Sequence, residues 1–185
     1  QFSLVGDLVQ PMENLDEAAQ RVLFERAGIK NVFLEQVKTF GSIARHPKGR
    51  VISVAYSALV KLSDFKIESA NPHHPSWQAF NDLNAENMAF DHHIILKSCI
   101  QHLRKHILAL PVEYMLPHKF TLSQLQSLYE AILNKPLDKR NFRKKILKLD
   151  LIKDTKEYQK NVAHRPAKLY QLKRSKNQQN LEVIS

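Results

Sequence analysis

The sequence predicts an α+β chain in two parts: a mixed domain over residues 1–110, then a smaller domain of helices and a hairpin over 111–174, with a polar tail at 175–185. Three observations carry this division. Charge is split along the chain: residues 1–100 hold 10 Lys and Arg against 11 Asp and Glu, a net of −1, whereas residues 101–185 hold 18 against 7, a net of +11. Apolar residues recur at spacings of three and four in some stretches and form short β-rich runs in others, so helices and strands are both present. After Pro111 the pattern becomes helix, short turn, helix, hairpin. A length of 185 residues with 43% hydrophobic content and only four Gly excludes a disordered chain and allows one large domain or two small ones.

Residues 1–10 are expected as a strand and turn. Residues 14–28 are a helix, with Leu15, Ala18, Ala19, Val22, Leu23 and Ala27 at helical spacing, Asn14 and Glu17 as a capping box, and Gly28 as the stop. Val32–Phe40 and Arg50–Val60 are strands around the loop GSIARHPKG. Asn71–Ser76 is a turn, Trp77–Leu83 a short strand or docking segment, and 92–109 a helix with Ile94, Ile95, Cys99, Leu103 and Ile107 on one side. In the second part, 121–134 is a helix striped by Leu122, Leu125, Leu128, Ile132 and Leu133 and capped by Thr121 with Gln124. NKPL (134–137) is a turn, 138–150 a helix with Asp138 at its N-cap, and Leu151–Lys153 and Lys168–Lys173 are strands. That order is a winged helix-turn-helix.

The basic half supplies the first functional reading. On a wheel of about 100° per residue, Phe142, Ile146 and Leu149 fall together as the buried edge of the 138–150 helix. Arg140, Lys144 and Lys148 project opposite, with Asn141 beside them, and Lys139 and Arg143 flank the buried edge. One apolar edge and a cationic remainder suit a helix laid in the major groove of DNA, where Arg bridges two acceptors on guanine and Asn pairs with adenine. His164 and Arg165, stiffened by Pro166, put a cation near the tip of the wing. Lys153, Lys156, Lys160 and Lys168 add sequence-independent attraction to phosphate. Double-stranded operator DNA is therefore the expected macromolecular partner.

Residues 6–29, GDLVQPMENLDEAAQRVLFERAGI, resemble the Nudix box, whose pattern is G-x5-E-x7-R-E-U-x-E-E-x-G-U with U aliphatic, with one residue more than the pattern between Gly6 and Glu13. In Nudix hydrolases the helix glutamates bind divalent metal for pyrophosphate hydrolysis. Here Glu13 and Arg21 match, but the next glutamate is Val22 and the following pair is Glu25-Arg26. Loss of carboxylates and gain of a cation repel a divalent ion, so no catalytic residue, metal or cofactor is expected and the chain is read as not an enzyme. A Nudix hydrolase acting on ADP-ribose-like pyrophosphates is the alternative, and a basic RNA-binding or scaffold protein a third.

The chain further resembles the Nudix-related transcriptional regulators, in TFGSIARHPKGRVISVAY (39–56), AFDHHII (89–95), LPHKFTLSQLQSLYEAIL (116–133), LDKRNFRKKIL (137–147) and RPAKLYQL (165–172). The resemblance implies a Nudix-like α/β/α sandwich that senses an effector, followed by the winged helix, in a homodimeric regulator of NAD metabolism or sugar catabolism. It expects strands before Gly6, and the chain opens at Gln1, so the sandwich is read as incomplete at its N-terminus. A pentose such as arabinose ranks slightly ahead of an ADP-ribose-like nucleotide as effector, because members with an eroded box include pentose-responsive ones. Effector contacts are assigned to Glu13, Arg21 and Glu25 on the former catalytic face, Arg45 and Arg50 in the 41–50 loop, and Asp91 and His92. Zinc at His73-His74 or His92-His93 is set aside, since adjacent residues diverge and no Cys partner with zinc spacing exists. Cys99 is read as a small core residue in a reducing compartment, and no apolar run reaches the ~18–20 residues of a membrane span, so a cytoplasmic location is expected.

Overall fold

A computed structural model of the chain describes residues 1–47, 49–61, 75–108, 112–160, 162–163 and 165–173. Its contacts divide into two compact units, Gln1–Leu110 and Pro111–Ser185.

In the first unit, helix α1 (Leu15–Ala27) starts where both halves of a capping box close: the Asn14 side chain accepts from Glu17 N, and the Glu17 carboxylate accepts from Asn14 N. It stops at Gly28, whose φ of 68° is a left-handed conformation that a side chain would strain. Strands β1 (Leu34–Phe40) and β2 (Ser53–Ala58) pair antiparallel with an irregularity between Gln36 and Lys38. Helix α2 (His92–Lys105) follows a 3-10 turn at Phe80–Asp82. Successive strand residues face opposite sides of a sheet. Glu35 of β1 meets His102 of α2, while its neighbour Gln36 sits across from Tyr56, whose hydroxyl donates to Asp16 of α1. The two helices therefore cover opposite faces of the ribbon, giving the α/β/α layering. Burial, then the bond to the Asp16 carboxylate, pushes the Tyr56 hydroxyl up to about 12.

Three expectations change here. The strand at residues 1–10 reduces to one bridge, Phe2 with Met88, because the backbone of Phe2 bonds only Asn87 and Ala89. Trp77–Leu83 contains a 3-10 turn and not a strand. The helix from His92 ends at Lys105, and of its expected apolar side Ile95 is buried while Ile94, about 100° away, is half exposed. Cys99 is half-buried, and burial pushes its thiol up, away from the reactive thiolate. The turn Asn71–Ser76 lies largely outside the described residues, as does the tail 175–185.

In the second unit, strand β3 (Phe120–Thr121) leads into helix α3 (Leu122–Leu133) through a second capping box, Thr121 with Gln124. Helix α4 (Lys139–Lys148) follows, then β4 (Ile152–Tyr158) and β5 (Lys168–Leu172). The sheet order is β3-β5-β4, all antiparallel. Phe120, Leu125, Tyr129, Phe142, Ile146 and Ile152 form the core, with the Tyr129 and Phe142 rings edge to face at 5.6 Å. Strand β3 was not expected, since two residues show no periodicity. Leu149, expected in the buried edge, is 46% exposed. The helix ends at Lys148, and Asp150 turns the chain through a left-handed φ of 56°, so Leu149 never completes the wheel.

Candidate functional site

Helix α4 is held by its back and presents its front. Phe142 and Ile146 are buried, while Lys139, Arg140, Asn141, Arg143, Lys144, Lys145 and Lys148 are all exposed. The Asp138 carboxylate accepts from Asn141 N at 2.8 Å and fixes where the helix begins. Among the described residues, none of these cations has an ion-pair partner, in contrast to Lys119 with Glu157, Lys168 with Asp154 and Lys173 with Asp150 on the sheet. The first turn of α4 carries no acid. Lys139 and Arg140 there run against the helix macrodipole, which favours negative charge at an N-terminus. A polyanion docked on this end would remove that conflict. Sequence reasoning passed over Lys145 and the exposed Leu147 within the same surface; both are legible as outward positions on the wheel.

The corner that sets α4 relative to α3 is clamped by side chains. Asn134 ends α3 in a left-handed conformation, φ 53°. Glu130 accepts from Leu137 N at 2.8 Å, and Gln126 donates to Leu137 O at 2.9 Å and to Glu130 at 3.0 Å. The backbone amide of Leu137, then the Gln126 amide, holds the Glu130 carboxyl below its usual range.

The wing is the β4–β5 hairpin, extended by the bond from Gln159 N to Ala167 O. Its pairing shifts register between Asp154 and Tyr158, where Lys156 takes a left-handed φ of 59°. Arg165 is exposed near the tip; His164 lies outside the described residues. Lys168, expected to attract phosphate, is bound to Asp154 at 2.6 Å, which neutralises much of its charge.

In the first unit the expected effector residues fall into separate networks. Arg21 grips Glu13 through two nitrogens at 2.8 and 2.6 Å, reaches Glu25 at 3.0 Å, and donates to Leu8 O at 3.0 Å. The Arg21 guanidinium, then the Gln10 amide, lowers the Glu13 carboxyl to about 2. Arg26 pairs with Asp7, and Val22 is buried. The box carboxylates thus already serve an arginine, and among the described residues Glu13 and Glu25 join no third metal-ligating group.

The second network unites Arg45, Asp91 and His92. Arg45 makes a two-pronged pair with Asp91, both bonds 2.9 Å, and donates to Ser53 Oγ at 2.7 Å; its side chain is 5% exposed. His92 Nδ1 accepts from Leu4 N at 3.0 Å, and burial lowers its pKa. Phe90 stacks near both His46, at 4.7 Å, and His92, at 5.9 Å. Arg50 is exposed and donates to Gly41 O at 2.6 Å, apart from this cluster.

Residues 112–172 match the family model of the NrtR DNA-binding winged helix domain. The chain is 34% identical over 160 residues to the ADPR responsive transcriptional repressor NtrR of Acinetobacter baylyi, covering 85% of this chain and 63% of the repressor. It therefore spans less than two thirds of that relative's length. The crystal structure of Shewanella oneidensis NrtR complexed with a 27mer DNA aligns with a TM-score of 0.73 at 29% identity, over 91% of this chain and 78% of that one. Over most of its length the chain is thus similar to an NtrR repressor and to NrtR. A MutT/nudix family protein from Enterococcus faecalis shares the fold at a TM-score of 0.67 and 20% identity, over 93% of this chain and 75% of that one. Among the described residues, no helix is long and apolar enough to cross a membrane.

Proposed function

We propose that the chain is a cytoplasmic, homodimeric repressor that binds operator DNA through α4 and the wing and is gated by ADP-ribose or a close nucleotide relative. The observation that carries it is the row of exposed cations on α4, without ion-pair partners among the described residues, on a helix whose opposite edge is buried. Lys139, Arg140, Asn141, Arg143, Lys144 and Lys148 contact bases and phosphates; His164, Arg165 and Lys156 add wing contacts. The repressor relative's description as ADPR responsive moves ADP-ribose ahead of the pentose.

The sensor is not a hydrolase in this reading, because Glu13 and Glu25 are tied to Arg21, Val22 is buried, and Arg26 sits where the box places a carboxylate. Arg45 is a positioning residue that holds Asp91 at the head of α2, and Arg50 and His92 are the better candidates to touch the effector. Gating requires the effector to bind the two arrangements of the dimer unequally. Titrating labelled operator duplex with the full chain, alone and with ADP-ribose or arabinose, tests the whole reading. Affinity that falls with ADP-ribose alone supports it. A response to arabinose alone reassigns the effector, and binding that ignores both leaves a constitutive DNA-binding protein. Release of AMP from ADP-ribose with magnesium would overturn the non-catalytic sensor.

A further inference from the structure

Away from the former catalytic face, two histidines and a carboxylate converge where α2 ends. His102 and His106 are four residues apart, so they share one side of the last turn, and their rings lie 4.3 Å apart at a 47° tilt. Glu35 of β1 approaches from the sheet, its Oε1 3.0 Å from His102 Nε2. One ligand atom from each of the three lies within 4.8 Å of the other two, and all three residues are half-buried. This is the one such group among the described residues.

We propose that Glu35, His102 and His106 form a zinc-class metal site with an open fourth position. Two imidazoles and one carboxylate suit zinc and its neighbours among the transition metals, and the nitrogen content disfavours magnesium or calcium. Zinc bonds of roughly 2.0–2.1 Å in tetrahedral geometry place ligand atoms a little over 3 Å apart, so the group needs only small side-chain rotations to close. Two ligands from one helical turn and one from a neighbouring strand would fasten the end of α2 to β1. The nearby cation Arg104 is directed over the Phe80 ring, at 5.9 Å, and Lys105 is exposed. The site shares no residue with the effector networks or with α4, so it stands or falls apart from the regulatory reading.

Chelator-treated full chain titrated calorimetrically with zinc sulfate tests it. The expected result is one zinc per chain, with E35Q, H102A and H106A each weakening binding by about tenfold or more, and H73A/H74A leaving it intact. X-ray absorption on the zinc-loaded native chain requires no variant and should show two imidazole ligands with oxygen completing the shell. Absence of binding, binding unchanged in H102A/H106A, or a shell without two imidazoles overturns the proposal.

Discussion

Arg21 and Arg45 in the first unit and Arg140 and Arg143 in the second carry the same guanidinium in opposite circumstances. The first pair is engaged on every side that counts: Arg21 holds two carboxylates and a carbonyl, and Arg45 holds Asp91 and a serine. The second pair extends from α4 without an ion-pair partner among the described residues. Net charge by half predicts where a polyanion goes, but pairing explains why. In the first unit arginine is a strut of the fold, and in the second it is left available for another molecule.

The largest effect should come from removing a strut. Arg45→Ala leaves Asp91, itself mostly covered, without its partner, and should lower stability by ~3 kcal/mol in urea unfolding. DNA affinity of the folded fraction should hold. A loss under ~1 kcal/mol would return Arg45 to the effector contacts. Next, Arg140→Ala should leave stability unchanged or slightly higher, since it removes a cation from a helix N-terminus, yet cost about 1–3 kcal/mol in operator affinity. An equal loss on random duplex would make it a phosphate contact. A smaller contrast separates lysines: Lys144→Ala should reduce the salt slope of DNA binding by about one phosphate, while Lys168→Ala, already paired with Asp154, should change it less. If the two slopes fall equally, pairing does not decide availability.

The smallest test concerns acid. The Glu13 carboxyl stands at about 2 in the folded chain against 4.5 ordinarily, so its contribution is complete above about pH 4.5 and is lost as pH falls toward 2. The difference in stability between the native chain and Glu13→Gln should therefore be flat above pH 4.5 and shrink below it. A difference that persists unchanged at pH 2 would mean that charge is not what Glu13 contributes.

Much of this was legible in the residues. Both capping boxes, the Gly28 stop and the helix-turn-helix-hairpin order follow from local chemistry and needed no tertiary information. The outward cations of α4 followed from the wheel because Phe142 and Ile146 mark its buried edge. Pairing was less accessible: Arg45 meets Asp91 across 46 positions and Lys168 meets Asp154 across a hairpin, so composition counted them as available charge. Leu149 was misplaced because the wheel assumes a helix that continues, and Asp150 ends it. The His102–His106 spacing stands in the sequence, but Glu35 joins them only when β1 lies under α2.

Glu130 gives the second unit one more property. An acid in a strongly basic domain anchors the corner between its two main helices, with Gln126 holding the other side of Leu137. A reader whose elbow is already set surrenders little conformational freedom on docking, so more of its contact energy remains as affinity. Under the proposed function, loosening that elbow would therefore weaken recognition on every sequence alike, although Glu130 and Gln126 themselves contact no base.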